Sequence, residues 1–225
     1  MRIGLIILVA VFLASCAAHA PMSETVIFSP KKINGERIEA SHQMGFSFNT
    51  DLLDTKTLYP ERKGYNDRLT IPNELSYFNT LYLKNEGNHF AAFSFSAGTG
   101  VGFDATARVI DPVYVTIGYS NVGQYELSLP VRLLHSEKIG WLAAPAYRNQ
   151  IVYYDDLEEE SHLFDFGPDG RDAYKTVGMK SSIYLFTPGI NQRAKRLFYS
   201  AKLEGGKILN SKAWYFSFGL KIGGY

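Results

Sequence analysis

Large apolar side chains alternate with small or polar ones from Phe93 to Leu133. The odd-numbered positions of this stretch carry most of its large apolar residues, and the even-numbered positions between them carry mainly glycine, serine, threonine and charged residues. A period of two is that of a β-strand, in which successive side chains point to opposite faces of a sheet. The phase survives the break at Ile110, Asp111 and Pro112, which predicts a hairpin with a three-residue loop. The sequence therefore predicts β structure with one apolar and one polar face.

Similar segments elsewhere predict eight strands, beginning near residues 43, 75, 89, 113, 139, 174, 194 and 212. This count takes 90–109 as one strand and 113–133 as another. The longer connections, at 51–73, 155–172 and 204–211, are the first, fifth and seventh. In an antiparallel meander alternate connections lie at the same end, so these three share one end. Eight strands with long loops at one end are typical of small membrane barrels, and the prediction is an antiparallel meander β-barrel.

The polar face suits the inside of such a barrel, because side chains fill the interior of a small barrel. Tyrosine and tryptophan on the apolar face are expected near the membrane interfaces. In this pattern the chain from residue 43 to its end resembles small outer-membrane β-barrel proteins. Pairable charges expected inside are Asp104, Arg108, Glu126, Arg132, Lys180, Lys202 and Lys221.

Three features favour an alternative. The segments 90–109 and 113–133 are about twice as long as a bilayer requires, Pro130 and Pro145 interrupt strands, and Tyr225 is out of phase with the apolar face of the last strand. The alternative is a periplasm-facing lipoprotein with a soluble β-sandwich or lipocalin-like barrel, broken at 98–100 and 121–123, that binds an apolar ligand or lipid in a cavity. The two hypotheses differ in whether Phe93, Val101, Val115, Ile117 and Leu127 point outward or inward.

The N-terminus predicts export. Residues 1–15 combine a basic start with an apolar run too short to span a bilayer, as in a signal peptide. Leu13-Ala14-Ser15-Cys16 resembles the lipobox of bacterial lipoproteins, which implies cleavage before Cys16 and its lipidation. Ala17 stands where an aspartate would imply retention in the inner membrane, so the resemblance implies the outer membrane. The predicted organisation is a signal peptide at 1–15, a lipidated tether at 16–42 with a short strand at Val26 to Phe28, and one barrel domain at 43–225.

Charge and motifs bound the function. The signal peptide contains one of the 23 basic residues and none of the 22 acidic ones, so the mature chain is formally neutral, which argues against nucleic-acid binding. No catalytic residues, metal site or cofactor are predicted. His162 with Ser161 and Asp165 suggests a lipid-modifying hydrolase, but we interpret His162 as a solvated loop residue and the acidic run Asp155 to Glu160 as a solvated charge run.

The predicted function is therefore that of an outer-membrane lipoprotein with a non-catalytic, structural or interaction role in the cell envelope. Its expected partners are outer-membrane lipid and other envelope proteins that contact the loops at 51–73 and 155–172.

Overall fold

The chain folds into antiparallel β-strands and one short helix. The computed structural model describes residues 22–28, 42–54, 57, 74–85, 88–98, 101–120, 125–153, 171–188 and 196–224. A 3-10 helix, the inner helix, spans Ser23–Phe28. In the described part of the chain no helix has the length and apolar character needed to cross a bilayer. The strands are β1 (His42–Leu53), β2 (Glu74–Asn85), β3 (Asn88–Gly98), β4 (Val101–Ile110), β5 (Val113–Ser120), β6 (Tyr125–Ser128), β7 (Val131–His135), β8 (Ile139–Tyr153), β9 (Arg171–Pro188), β10 (Arg196–Ile208) and β11 (Trp214–Gly224).

Ten of these strands close into a barrel. They pair antiparallel in the order β1–β2–β3–β4–β5–β6–β8–β9–β10–β11, and β11 pairs back with β1. β7 lies outside this ring of ten and continues the line of β6 beyond Leu129 and Pro130, where it pairs with β5 and β8. The predicted all-β antiparallel barrel is confirmed.

The predicted count of eight strands is wrong. Each of the two segments taken as one strand folds back on itself, the first into β3 and β4 and the second into β5 and β6 with β7. Ala97 pairs with Val101 across the first hairpin and Tyr119 with Tyr125 across the second. Paired residues of the same parity keep the alternation in phase, so the pattern did not reveal these turns. The breaks at 98–100 and 121–123, which we associated with a soluble fold, occur within the barrel.

The hairpin between β4 and β5 differs in detail from its prediction. It turns through two residues, Asp111 and Pro112, where three were expected. Arg108 pairs with Tyr114 and Ile110 with Val113, so Val109 is the additional residue of a β-bulge. This additional residue preserves the apolar phase that suggested a longer loop.

The connections make the two barrel ends unequal. Residues 54–73 join β1 to β2 and residues 154–170 join β8 to β9, both at one end, which we call the long-connection end. The other end, the short-turn end, carries the start of β1, the end of β11 and the connections at 86–87, 111–112, 136–138 and 189–195. The long connections share one end, as the sequence predicted, although β1 and β9 extend further into them than expected.

The barrel wall is apolar outside and polar inside. Among the described residues, thirty large apolar or aromatic side chains are at least 40% exposed, including Phe93, Ile117 and Leu127. Val101 and Val115 are half-buried at positions of the same outward parity. Most buried side chains of the wall are serine, threonine or charged. This is the reverse of a water-soluble barrel. The soluble β-sandwich and the lipocalin-like barrel with an apolar cavity are therefore wrong as descriptions of this fold.

Pro130 and Pro145, which argued against long strands, are accommodated in the hydrogen bonding of this wall. Pro130 lies in the interruption between β6 and β7, and its carbonyl oxygen accepts a hydrogen bond from Tyr114 N at 2.8 Å. Pro145 lies within β8, and its carbonyl oxygen accepts from Leu129 N at 3.1 Å. Proline lacks a donor but keeps its acceptor, so the ladder continues on both sides.

The inner helix lies inside the barrel, and none of its residues is more than 4% exposed. The strand predicted at Val26 to Phe28 is therefore wrong, because these residues pack as a helix against β2, β3, β4 and β5. Ten strands enclose a wider space than eight, and the helix occupies part of it. The remaining residues of the predicted tether, 16–21 and 29–41, lie outside the described residues.

Candidate functional site

An aromatic cluster surrounds the inner helix toward the short-turn end. The ring of Phe28 lies 4.8 Å from that of Tyr184, 5.8 Å from that of His135 and 6.1 Å from that of Phe186, measured between centroids. Gly140 completes the pocket, because a Cβ there would lie 2.6 Å from the Phe28 ring. Phe28 therefore fits this position only because the facing residue of β8 has no side chain.

Polar side chains attach the other end of the inner helix to the wall. Ser23 N donates to Asp104 Oδ1 at 2.6 Å, and the hydroxyls of Ser23 and Thr106 are 2.7 Å apart. Thr25 Oγ1 lies 2.6 Å from Gln43 Oε1. The carboxylate of Asp104 at the helix N-terminus accepts from a backbone N–H group that has no partner within the helix. These bonds fix the position of the helix along the barrel axis.

A chain of buried charges continues from the inner helix across the barrel. Lys180 Nζ, on β9, bonds to Glu24 of the inner helix and to Glu126 of β6, the latter at 2.7 Å. Arg148, on β8, bonds through Nε to Glu126 at 2.9 Å and through Nη2 to Glu204 of β10 at 2.5 Å. Carboxylates and cations thus alternate along a network that joins four strands to the inner helix.

The described interior buries nearly equal numbers of opposite charges. Four carboxylates and five cations are buried, the fifth cation being Arg196 toward the short-turn end, and the helix residue Glu24 supplies one of the four negative charges. Buried ions that lose a partner are costly, because nothing replaces the water they have given up. The network is therefore expected to hold the inner helix in place together with the aromatic cluster. Its charged members are Glu24, Glu126, Glu204, Arg148, Lys180 and Lys202, and Asp104 and Lys221 are buried in the same interior.

The ammonium group of Lys180 is fully bonded within the network. Lys180 Nζ donates to Glu24, Glu126 and Ser128, the last at 3.2 Å, which uses all three ammonium protons. A lysine held in this way is not a free amine that can activate the neighbouring serine. In the regions the structure covers, no group of three or more histidine, cysteine or acidic side chains is placed to hold a metal.

The barrel interior changes character again at the long-connection end. There Tyr215 packs with Ile208 and Ala213, with Tyr174 against them. The hydroxyl of Tyr215 donates to Glu204 Oε1 at 2.8 Å, so this apolar cluster is bonded to the charged layer. The interior is thus layered along its axis, with aromatic residues and the helix first, charges in the middle and a second small apolar cluster last.

Five of the seven charges predicted for the interior are buried there: Asp104, Glu126, Lys180, Lys202 and Lys221. Of the other two, the prediction for Arg108 is wrong, because this side chain is exposed near the end of β4. Arg132 lies at the mouth of the interior at the short-turn end: it is 22% exposed, forms an ion pair with Asp111, and donates through Nη1 to Ile27 O of the inner helix at 3.5 Å and to the Tyr114 hydroxyl at 3.4 Å.

Four buried charges, Glu24, Arg148, Arg196 and Glu204, were not predicted from the sequence. Glu24 lies in the predicted tether, Glu204 in the predicted connection at 204–211, and Arg148 in a segment whose alternation is weak. For Glu204 a signal was present, because it has the same parity as Lys202 and β10 continues to Ile208. Arg148 likewise shares the parity of the buried Leu142, Ala144 and Ala146. No local pattern indicated that Glu24 enters the barrel.

Several predicted positions lie outside the described residues. These are Cys16, Ser161, His162, Asp165, the acidic run Asp155 to Glu160, and most of the loops at 51–73 and 155–172. Gly98, Gly102 and Gly118 lie in strands, as the alternating pattern predicted. At Gly98 a Cβ would lie 2.1 Å from the carbonyl oxygen of Leu75, so close strand approach explains that glycine.

The outer face carries aromatic side chains toward both barrel ends. Tyr119, Tyr125 and Trp214 are at least 41% exposed near the long-connection end, and Trp141 is 42% exposed near the short-turn end. Trp141 Nε1 donates to Ser181 Oγ at 2.9 Å on the outer face. Amphipathic rings at two levels are typical of the girdles at the two interfaces of a membrane barrel.

Comparisons with known proteins give solved structures only. No protein-family model matches the sequence, and no curated protein matches it. The N-terminal β-barrel domain of OprF from Pseudomonas aeruginosa is 8% identical, with 80% of this chain and 96% of that chain covered and a TM-score of 0.35. The attachment invasion locus protein Ail of Yersinia pestis, in complex with the heparin analogue sucrose octasulfate, is 9% identical, with 81% and 96% covered and a TM-score of 0.34.

The outer membrane protein Omp33 of Acinetobacter baumannii is 11% identical, with 81% of this chain and 97% of that chain covered and a TM-score of 0.25. The closed barrel and its inverted polarity are established by the strand pairing and burial described above, and not by these likenesses.

Proposed function

We propose that this protein is an integral β-barrel of the bacterial outer membrane, with a lipid anchor at Cys16 and a non-catalytic, structural or interaction role in the cell envelope. The observation that carries the proposal is the inverted polarity of the wall, which exposes thirty large apolar or aromatic side chains and buries a charged network. In water this arrangement would leave most of the apolar surface hydrated. In a bilayer the same surface contacts hydrocarbon.

Closure of the sheet supports the membrane assignment. Every strand of the ring has two neighbours, so no strand edge presents unpaired N–H and C=O groups to lipid. Strands longer than a bilayer requires, such as the 18 residues of β9, extend the barrel beyond the hydrocarbon. By analogy with other outer-membrane barrels, the short-turn end faces the periplasm and the long-connection end faces outward.

The lipid anchor and the interaction role rest on the sequence. Leu13 to Cys16 resembles a lipobox and Ala17 lacks the retention residue. The long connections at 54–73 and 154–170 are the places where an outward-facing barrel would meet other envelope components. The inner helix and its charges make the barrel a filled scaffold that presents these connections, which favours a structural role over transport.

The decisive experiment removes the anchor and asks whether the barrel stays. Outer membranes from cells that express Cys16→Ser are washed at alkaline pH, which releases peripheral proteins. We expect the variant to remain in the pellet, and wild-type protein, but not the variant, to incorporate a labelled fatty acid. Release of folded, anchorless protein into the supernatant would overturn the membrane barrel. Equal acyl labelling of the variant would overturn the anchor alone.

A further inference from the structure

A groove of about 420 Å³ crosses the apolar outer face over β2, β1, β11, β10 and β9. We propose that it binds one acyl chain of a glycerophospholipid from the periplasmic leaflet, with the phosphate of that lipid near Lys138. The proposal rests on the proposed function, because the groove meets lipid only if the barrel spans the membrane. It adds a specific lipid site to a surface that otherwise contacts bulk hydrocarbon.

Ala201 forms the floor of the groove. Its outward side chain is the smallest in a row of residues that pair directly across five strands, and both of its partners in the row are large. A small residue between large ones produces a depression in a sheet surface, since neighbouring side chains stand perpendicular to it. The row consists of Leu75, Phe48, Leu220, Ala201 and Ile183.

A second row forms the wall on the side of the short-turn end. It lies two residues along each strand from the first, and it contains large side chains throughout, with Tyr199 standing next to Ala201 on β10. These are Phe46, Ile222, Tyr199 and Leu185, which also pair directly across their strands. The groove thus runs across the strands, between two rows of side chains in register.

The length and direction of the groove suit a single acyl chain. Five strands spaced about 4.8 Å apart give a length of about 19 Å, whereas the hydrocarbon of one leaflet is about 15 Å thick. Leu75 is the second residue of β2, next to the long-connection end, whereas the first row continues on β8 to Trp141, close to the short-turn end. The groove therefore runs obliquely from the periplasmic interface into the membrane, as a lipid tail does.

An exposed lysine at the end of the groove nearest the short-turn end indicates where the lipid headgroup lies. Leu185 in the second row pairs with Ile139, and the carbonyl oxygen of the preceding Lys138 accepts a hydrogen bond from Phe186 N. Lys138 is exposed at this rim. Arg196 bonds to the backbone oxygen of Glu137, but its side chain is buried inside the barrel, over the ring of Phe186. The exposed Lys138, next to the interfacial Trp141, is therefore the cation that can meet the phosphate of a lipid at this interface.

The experiment uses the full chain, reconstituted in vesicles of phosphatidylethanolamine and phosphatidylglycerol that contain a phosphatidylglycerol with a photoreactive acyl chain. After illumination, cross-linked peptides are mapped by mass spectrometry. We expect cross-links to concentrate on β1, β9, β10 and β11. Ala201→Phe, which fills the groove from outside, should lower this labelling about fivefold because the lipid chain loses its contact area.

Two further variants sharpen the result. Ala105→Phe is the matched control, since Ala105 is an outward alanine between Phe93 and Ile117 on the other side of the barrel; it should leave groove labelling unchanged. Lys138→Gln should lower labelling by the anionic probe about twofold, the effect of one exposed ion pair. The heat-dependent shift in electrophoretic mobility of folded barrels confirms that each variant is folded.

Uniform labelling around the barrel, or unchanged labelling in Ala201→Phe, would overturn the lipid site. A chain-to-chain cross-link across the groove that Ala201→Phe abolishes would also overturn it, in favour of a second copy as occupant. These failures are distinguishable from failure of the proposed function, because in each of them the anchorless barrel still resists alkaline extraction.

Discussion

The inner and outer faces of this barrel are made by alternate residues of the same strands, yet different interactions stabilise them. On β9 the buried Lys180 is bound to two carboxylates, whereas the outward Met179 beside it is 58% exposed and has only the general requirement of being apolar. The inner face is a network in which each group depends on named partners. The stability of the outer face depends on the solvent that surrounds it and not on particular partner residues. Mutations on the two faces should therefore fail in different ways.

The largest effect is expected from breaking the inner network. Lys180→Met leaves Glu24 and Glu126 without their shared cation, and loss of one partner from a buried ion pair costs about 3–5 kcal/mol. Urea unfolding of the reconstituted protein, followed by tryptophan fluorescence, measures the free energy of unfolding. Lys207→Met, which removes an exposed lysine from β10, should change it by no more than about 0.5 kcal/mol. Equal effects of the two substitutions would show that the network contributes no stability.

A lysine on the outer face should have a cost that depends on depth. Ile117 lies midway along β5, so Ile117→Lys should destabilise the barrel in lipid by about 2–4 kcal/mol. Val109→Lys, at the short-turn end of β4, should cost about 0–1 kcal/mol because the charge reaches the interface. The same unfolding measurement compares them. A cost that does not vary with depth would contradict immersion of this face in a bilayer.

Displacement of the inner helix should cost less than breaking the network. A methyl group added by Gly140→Ala would overlap the Phe28 ring, and overpacking of this kind costs about 1–3 kcal/mol. Hydrogen exchange at Val26 to Phe28 should rise relative to the strands. In a double-mutant cycle Phe28→Ala should remove most of the penalty, since the clash is with this ring. An additive double mutant would place the cost elsewhere.

The smallest effect is expected at the rim. Asp111 is 58% exposed in its ion pair with Arg132, and exposed pairs contribute about 0–1 kcal/mol. Asp111→Asn should therefore lower the free energy of unfolding by less than about 1 kcal/mol, and this difference from wild type should disappear at high salt. A loss as large as that of Lys180→Met would mean that the rim belongs to the buried network.

The same contrast explains what the sequence could predict. Alternation from Phe93 to Leu133 identified the strands and their two faces, because each strand position reports its face locally. The predicted strand count was wrong because the apolar and polar positions keep the same alternation on both sides of the hairpins at 98–100 and 121–124. Five interior charges were found by parity, but Glu24 was missed because only the closed barrel brings the N-terminal segment beside Lys180. The direction of the apolar face also required the closed structure, since alternation is the same for either orientation.

If the barrel spans the membrane, the outward residues of its wall contact hydrocarbon while their inward neighbours do not. Single cysteines at 182, 183, 184 and 185 of β9, in a background that lacks Cys16, are spin-labelled in the reconstituted protein. Accessibility to oxygen, which dissolves in lipid, and to a water-soluble nickel complex is then measured. We expect high oxygen accessibility at 183 and 185 and low accessibility to both reagents at 182 and 184. High accessibility of 183 and 185 to the nickel complex, in protein that is folded and bound to vesicles, would contradict this expectation.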